Sequence, residues 1–378
     1  MIEDEPALRI GLDCRTVLQR KTGDRTYVLN LLRGLEELRL DPSAWRFHLL
    51  LDAPDANGVL PHGPAFQTDI VRAPNSRLWT LAALPLHARR VGLDLLHVQY
   101  LSPPIAPCPV VVTIHDVVWR AMPRTFPPLH RAVMRHLMPL SARRAALVLC
   151  GTQSARTDIA RYLHIESNKI HVTPYAVESR FYEPVAPEKR ADVREKYGIG
   201  TAPYILSVGV LQPRKNLPRL ITAFGKRKSV HPQSPHQLVI VGKKGWGEIS
   251  PLVSHSSSLV FTGYVDDDEL PALYAGAELF AYPSLYEGFG LPVLEAMACG
   301  CPVLTSKHGA TEEVAGGAAQ LVVPRSVDSI EEGLDGVLRD ESRREELRTA
   351  GRLRAAQFSP AQQAAATVEA YLTVCCVQ

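Results

Sequence analysis

The feature that most constrains this chain is a rhythm of short apolar runs, each followed by a longer stretch with helical spacing. "ALRIGLD", "WRFHLLLD", "LLHVQY", "PVVVTIHD", "AALVLCGT" and "KIHVTPY" read as strands, with "TYVLNLLRGLEEL" and "SARTDIARYLHI" as helices between them. Near-continuous apolar strands fit a parallel sheet with helices on both faces. The rhythm lapses over "FYEPVAPEKRADVREKYGIGTAP", rich in proline and charge, which reads as a linker and a short helix. It restarts with "YILSVGV", "QLVIVGKKG", "LVFTGYV", "ELFAYPS", "CPVLTS" and "QLVVP" as strands. The charged stretch "SIEEGLDGVLRDESRREELRTAGRLRAAQ" reads as helix, and a break at "FSP" precedes a last helix, "AQQAAATVEAYLTV".

The expected fold class is therefore α/β, with two doubly wound Rossmann-like domains facing a central cleft at their strand C-terminal ends. Residues 1–185 make the first domain and 200–357 the second. A length of 378 residues agrees with two domains. The net charge of +3 is too small to argue for nucleic acid as a partner. The seven cysteines are odd in number and form no C-x-x-C pair, which points to reduced thiols in a cytoplasmic enzyme. The acidic start "MIEDEPALRIGLD" does not read as a signal peptide, and no apolar run approaches the roughly 20 residues that span a bilayer.

Chemistry concentrates in "YPSLYEGFGLPVLEAMACGCPVLTS", where seven residues separate Glu287 from Glu295. A strand, a glycine loop and a helix start follow in order, with Pro292 at the favoured first turn. That order aims backbone N–H groups and the positive end of a helix dipole at a ligand. Gly288 and Gly290 permit close backbone approach. The two carboxylates then reach two parts of one extended ligand. The plainer alternative makes Glu287 an exposed loop residue and Glu295 a charge favoured by the dipole.

In "SVGVLQPRKNLPRLITAF" a strand ends at Gly209, and Arg214 and Lys215 precede a helix. A planar fork beside a compact cation suits a diphosphate, although surface loops carry such pairs too. In "VVVTIHDVVW", His115 and Asp116 follow an apolar strand. His115 contacts a substrate there, or is a structural histidine bonded to Asp116. In "RTVLQRKTGDRTYVLNLL", Gly23 lets a backbone N–H approach a phosphate or an acceptor, while Thr22 and Asp24 are helix caps. The acidic cluster of "VDDDELPALY" reads as a capping box of Asp266 with Glu269 in preference to a metal site. "HRAVMRHLMPLSARRAA" reads as a solvated helix face, kinked or ended at Pro139, in preference to a membrane-resting one.

Taken together, the Glu287-x7-Glu295 segment, "PYILSVGVLQPRKNLPRLITAF", "QLVIVGKKGW", "LVFTGYVDDDELPALYAGAELFAYPS", "VVVTIHDVVW" and "KIHVTPYAVESRFYEP" resemble retaining glycosyltransferases of family 4, of the GT-B fold. The resemblance spans nearly the whole chain and is nearest the branch of bacterial surface-polysaccharide mannosyltransferases. It implies that Arg214 and Lys215 bind a donor diphosphate and Glu295 the ribose. It implies that Glu287 takes the donor sugar, helped by backbone N–H groups from Gly288, Phe289, Gly290 and Leu291, with His115 near the sugar. It implies a last helix, 359–378, crossing back to the first domain, and no metal or other cofactor. The implied partners are a nucleotide-sugar donor, GDP-mannose before a UDP-hexose, and a glycan or lipid-linked acceptor at the cytoplasmic membrane face. The departure from the family pattern is "TGDRTY", where relatives carry a "GIG" or "GG" type loop. Two rivals stay open: a nucleotide-sugar epimerase of the same architecture, and a non-catalytic nucleotide-sugar-binding subunit.

Overall fold

The structure, a computed structural model, describes residues 7–19, 22–56, 58–126, 128–245 and 258–376. Trp246, at the end of "QLVIVGKKGW", and the first six residues of the chain lie outside that set. The chain divides into two compact units. Unit 1 comprises Met1–Ala121, Phe126–Ala176 and Ser359–Gln378, and unit 2 comprises Met122–Thr125 and Val177–Phe358. Residues 177–185, placed by composition with the first domain, belong to unit 2. There the Val177 N–H donates to the Phe358 carbonyl at 2.9 Å, and Phe181 packs edge-on against Tyr274.

Unit 1 is built on a seven-stranded sheet: β1 (Leu8–Asp13), β2 (Trp45–Leu51), β3 (Phe66–Ile70), β4 (Leu95–Gln99), β5 (Val110–Thr113), β6 (Leu147–Cys150) and β7 (Ile170–Val172). Their order is β3-β2-β1-β4-β5-β6-β7, every pairing parallel. The order reverses between β1 and β4, the place where doubly wound sheets open a crevice. β5 and β6 are buried at every position, as their unbroken Val and Leu runs require.

The last helix, Pro360–Cys375, closes unit 1 over helix Gly23–Glu37. It starts in a capping box: Ser359 Oγ accepts from the Gln362 N–H, and the Gln362 side chain accepts from the Ser359 N–H. Buried Gln363 donates to the Tyr27 carbonyl at 3.1 Å and accepts from the Ala176 N–H at 2.9 Å. Gly34 makes the close approach fit, since a Cβ there would sit 1.9 Å from the Pro360 carbonyl oxygen. A buried polar chain then ties helix to sheet. Tyr371 Oη lies 2.6 Å from His97 Nδ1, His97 Nε2 lies 2.7 Å from Thr113 Oγ1, and Thr113 Oγ1 lies 3.0 Å from Tyr27 Oη.

Unit 2 holds six strands: β8 (Tyr204–Val208), β9 (Gln237–Val241), β10 (Leu259–Gly263), β11 (Leu279–Tyr282), β12 (Val303–Ser306) and β13 (Gln320–Val322), ordered β10-β9-β8-β11-β12-β13 and all parallel. Its reversal falls between β8 and β11. Ile205, Leu238, Ile240, Leu279 and Leu304 from the sheet pack with Leu220 of helix Leu217–Val230 and with Ile330 and Leu334 of helix Val327–Leu338. The charged stretch read as one helix is two. A break at Arg339–Asp340 separates Val327–Leu338 from Glu341–Ala355, and Asp340 caps the second by accepting from the Arg343 N–H at 3.0 Å.

Candidate active site

Two loops meet at the carboxyl ends of β8 and β11, the reversal point of unit 2. After β8 the chain passes Gly209 and makes one 3-10 turn, Pro213–Lys215. Asn216 then adopts φ 60° before helix Leu217–Val230 begins. Its side-chain amide donates to the Pro283 carbonyl at 2.9 Å and the Pro324 carbonyl at 2.6 Å, stapling this turn to the loop after β11. The Leu285 N–H donates to the Arg214 carbonyl at 2.7 Å, and Arg214 Nη1 donates to the Tyr286 carbonyl at 3.3 Å.

Three charges are brought together here. Glu287 pairs with Arg214 on one carboxylate oxygen and accepts from Lys215 Nζ at 2.8 Å on the other. Its side chain is only 8% exposed, so it is not a solvated loop residue. Burial alone would raise its pKa, but Arg214 and then Lys215 reverse that and hold it at about 2. Lys215 also donates to the Tyr282 hydroxyl, and Tyr282 is held above the ordinary tyrosine range by burial and then by the charge of Glu287. Gly209 leaves room for Lys215, since a Cβ there would come within 3.1 Å of Lys215 Cε. Two cations thus share the Glu287 carboxylate four residues before a helix begins, a kind of arrangement able to hold an anion.

That helix is Leu291–Ala298, with Pro292 in its first turn. Its cap, Gly290, has φ 115°, a conformation that costs glycine little and other residues much. Gly288, Phe289, Gly290 and Leu291 are buried where the loop enters it, and Phe289 packs edge-on against Phe358. Glu295 lies in the second turn, 5% exposed, and its Oε2 accepts from the Tyr274 hydroxyl at 2.9 Å. The two glutamates thus differ in setting: one is locked between cations, the other held by a neutral phenol.

Unit 1 gathers its own candidates beyond β1, β4 and β5. His115 is 7% exposed and bonded on both ring nitrogens. Nδ1 lies 2.8 Å from Tyr175 Oη and Nε2 lies 2.9 Å from Gln99 Oε1. The amide oxygen can only accept, so Nε2 carries the proton and Nδ1 accepts from the tyrosine. Burial lowers the His115 pKa, opposed by Asp24 and Asp116, which fits this neutral tautomer. Asp116, the partner read from the sequence, accepts from the Val118 N–H at 3.0 Å. Asp24 approaches His115 Nε2 at 3.8 Å and accepts from the Tyr100 hydroxyl at 3.3 Å, so it is no helix cap. Thr22 does cap, accepting from the Arg25 N–H at 3.2 Å, and Gly23 is the first, exposed residue of that helix.

The acidic cluster is a correction in part. Glu269 is the cap residue of helix Leu270–Gly276 but makes no side-chain capping bond. Its carboxylate accepts instead from Lys196 Nζ at 2.8 Å and from the Tyr197 hydroxyl at 2.6 Å. Asp268 faces Arg180 at 3.1 Å and Asp266 faces Lys196 at 3.5 Å, so these carboxylates meet cations of the protein. Among the described residues no three His, Cys, Asp or Glu side chains gather as metal ligands, and no helix is long and apolar enough to cross a membrane. The sequence reading gives no role to Tyr282, Asn216, Tyr175, Gln99 or Tyr274, which the structure brings into the site. Only Asn216, next to the cation pair and before a proline-started helix, offered a local signal.

Comparison with known proteins agrees with this geometry. The family described as "Glycosyl transferases group 1" matches residues 189–354, and "Glycosyltransferase Family 4" matches residues 22–181. The O-antigen chain mannosyltransferase B of Escherichia coli is 34% identical over 266 residues, 69% of this chain and 69% of that one. A GDP-mannose-dependent alpha-(1-6)-phosphatidylinositol monomannoside mannosyltransferase of Mycolicibacterium smegmatis is 31% identical over 253 residues, 63% of this chain and 62% of that one. Among solved structures, sucrose-phosphate synthase of Thermosynechococcus elongatus superposes with a TM-score of 0.75 at 20% identity, covering 98% of this chain and all of that one, and so shares the fold.

Proposed function

Because the chain belongs to glycosyltransferase family 4, we propose that it moves a mannosyl residue from GDP-mannose to a hydroxyl of a glycan or lipid-linked acceptor, with retention at the anomeric carbon. The observation that carries this reading is the Arg214–Lys215–Glu287 cluster at the amino end of helix Leu291–Ala298, a receptor for a diphosphate next to a sugar. The donor follows the mannosyltransferases among its relatives, one of them named for GDP-mannose. A UDP-hexose is the second choice.

In this reading Arg214, Lys215 and the helix dipole offset the charge that builds on the diphosphate as the glycosidic bond breaks, without a metal ion. Glu295 takes the ribose hydroxyls, and Glu287 takes the sugar hydroxyls while holding both cations. Gly23 offers a backbone N–H and His115 a neutral ring to the reacting groups. The acceptor hydroxyl attacks on the face the diphosphate leaves, and its proton passes to a diphosphate oxygen. The enzyme works in the cytoplasm, peripheral to the membrane where its acceptor is lipid-linked.

A thermal-shift panel of GDP, UDP, ADP and their sugars tests the donor. Stabilisation by GDP and GDP-mannose above the others is expected, and a clear preference for UDP would overturn the choice. NMR of the product gives the anomeric configuration, and a β-mannoside would overturn retention. Loss of transfer on adding EDTA would overturn the metal-free scheme. Epimerised sugar released with no acceptor present would favour the epimerase.

A further inference from the structure

The segment "TGDRTY", where the chain departs from the glycine loop of its family, places Asp24 in the first turn of helix Gly23–Glu37. Transfer as proposed above assigns that carboxylate no part. Its Oδ1 accepts from the Tyr100 hydroxyl at 3.3 Å and stands 3.8 Å from His115 Nε2.

Tyr100 has an uncommon backbone. It follows β4 with φ 59°, a left-handed conformation that bulky side chains rarely adopt. The Leu101 N–H donates to the Gln99 carbonyl at 2.6 Å across it, the three-residue bond of a γ-turn. In an extended strand, successive side chains point to opposite faces. Here the turn delivers two in succession to one histidine. Gln99 Oε1 lies 2.9 Å from His115 Nε2, and the Tyr100 ring packs edge-on against the imidazole at 5.2 Å. Backbone strain of this kind persists where the surroundings hold it, and it gathers at functional sites.

The partners of the ring suit either protonation state. Gln99 Oε1 accepts from Nε2–H in both. Tyr175 Oη, 2.8 Å from Nδ1, donates to the neutral ring and, by turning its hydroxyl, accepts from the protonated one. The titratable groups that face His115 come from several elements. Helix Gly23–Glu37 brings Asp24 and Tyr27, and β4 with its turn brings His97 and Tyr100. Asp116 adjoins the ring in sequence, and Tyr175 follows β7. Burial keeps the three phenols protonated and His97 neutral above about 3. The charges of this group are therefore those of Asp24 and Asp116, and both favour a protonated ring against its burial.

We propose that Asp24, held by Tyr100, is a positioning residue for His115: it lets the buried ring take up a proton in mildly acidic solution, where transfer, which uses the neutral ring, is shut off. The inference rests on the glycosyl-transfer reading and adds a pH limit to it. The γ-turn at Tyr100 fixes the carboxylate and the ring relative to each other. A carboxylate in place of a glycine loop thus makes the reaction acid-sensitive.

The test follows His115 by NMR in the unliganded full chain, labelled at histidine Cε1, from about pH 8 to about pH 5. His115→Gln assigns its signal among the 13 histidines. A titration midpoint inside that range is expected. Asp24→Asn keeps the shape and an oxygen for Tyr100 and removes the charge. An opposite charge within about 4–6 Å moves a pKa by roughly 1–3, less where solvent screens it, so the midpoint should fall by at least about 0.5 pH unit. Tyr100→Phe should lower it by less, and should add nothing in Asp24→Asn protein. In each variant the acid limb of kcat/KM for GDP release from GDP-mannose should follow the NMR midpoint. A ring that does not titrate in this range overturns the proposal. So does a midpoint that Asp24→Asn leaves in place, the result for a merely structural Asp24, or an acid limb that stays while the midpoint moves. The NMR arm needs no donor, so a chain that titrates as expected yet releases no GDP supports the coupling of Asp24 to His115 and counts against the glycosyl-transfer reading.

Discussion

Lys215 and Glu287, 72 residues apart in sequence, meet at 2.8 Å and are each bound to a further partner, Tyr282 and Arg214 respectively. The carboxylate is therefore a counter-ion before it is anything else. Glu287→Gln removes an anion paired with two largely buried cations, and losing one member of such a pair costs about 3–5 kcal/mol. We expect urea melts to show a loss of that order without ligand. A nucleoside diphosphate supplies negative charge to the same cations, so it should raise Tm more in Glu287→Gln than in wild type. An equal or smaller rise would mean that the diphosphate does not use these cations.

Arg214 and Lys215 should not be equivalent. Lys215 bonds Glu287 and the Tyr282 hydroxyl, and Arg214 bonds Glu287 and the Tyr286 carbonyl, but Arg214 is the more exposed, at 18% against 10%. A hydrogen bond to a charged group is worth about 1.5–3 kcal/mol, so Arg214→Ala should weaken nucleoside diphosphate binding by roughly 10- to 150-fold, with a smaller loss of Tm than Lys215→Ala because the arginine is the more exposed. Lys215→Ala should weaken binding and lower Tm together, because it removes one cation from Glu287 and one donor from Tyr282. Titration calorimetry and thermal melts on both variants separate the two roles.

Unit 1 should lose stability as acid is added, earlier than its carboxylates alone would dictate. Burial, and next the neighbouring His115, hold His97 down from 6.5 to about 3. Between those values the unfolded chain binds a proton that the folded one refuses. Stability from this group is therefore unaffected above pH 6.5 and falls below it by about 1.4 kcal/mol per pH unit, until the folded form protonates near 3. In unit 2, Glu287, lowered from 4.5 to about 2, costs stability only below pH 4.5. Urea melts between pH 7.5 and 5 isolate the histidine effect. His97→Asn should lower the plateau yet flatten the slope, and an unchanged slope would assign it to other groups.

Two glycines of one helix make a paired test of packing. A Cβ on Gly34 would meet the Pro360 carbonyl oxygen at 1.9 Å and Ala364 Cβ at 2.8 Å, whereas a Cβ on Gly23 would meet nothing within 4 Å. Overpacking costs about 1–3 kcal/mol and more where backbone must move, so Gly34→Ala should destabilise unit 1 by at least about 2 kcal/mol in urea melts. Gly23→Ala should stay within about 0.5 kcal/mol.

What the sequence made legible follows from locality. Strands such as "VVVTIHD" and "ELFAYPS" announce themselves because both their faces are buried and every residue must be apolar. β3, "FQTDI", was missed because it is an edge strand with mostly exposed, polar side chains. The Asp340 break hid in a run whose charges look helical throughout. The Glu287-x7-Glu295 spacing told that both carboxylates flank a helix start, and the structure bears that out. It did not tell that Glu287 is clamped by Arg214 and Lys215, nor that His115 bonds Tyr175 and Gln99. Those partners lie 16 to 73 residues away, and only the sheet order brings them near. The capping box at Asp266 failed for a related reason. Glu269 had a stronger offer from Lys196 and Tyr197, on a segment whose packing was not visible in its composition.

The helix Pro360–Cys375 closes unit 1, yet every residue of Val177–Phe358 lies before it in the chain. During synthesis unit 2 is therefore finished first, while Tyr27, His97 and Ala176 still wait for Gln363 and Tyr371. The nascent first sheet must endure that interval with one helix-sized groove open along Gly34. Production of this protein should accordingly be limited by how well that groove is shielded until the closing helix emerges, and a chaperone that grips extended apolar segments has its natural substrate there.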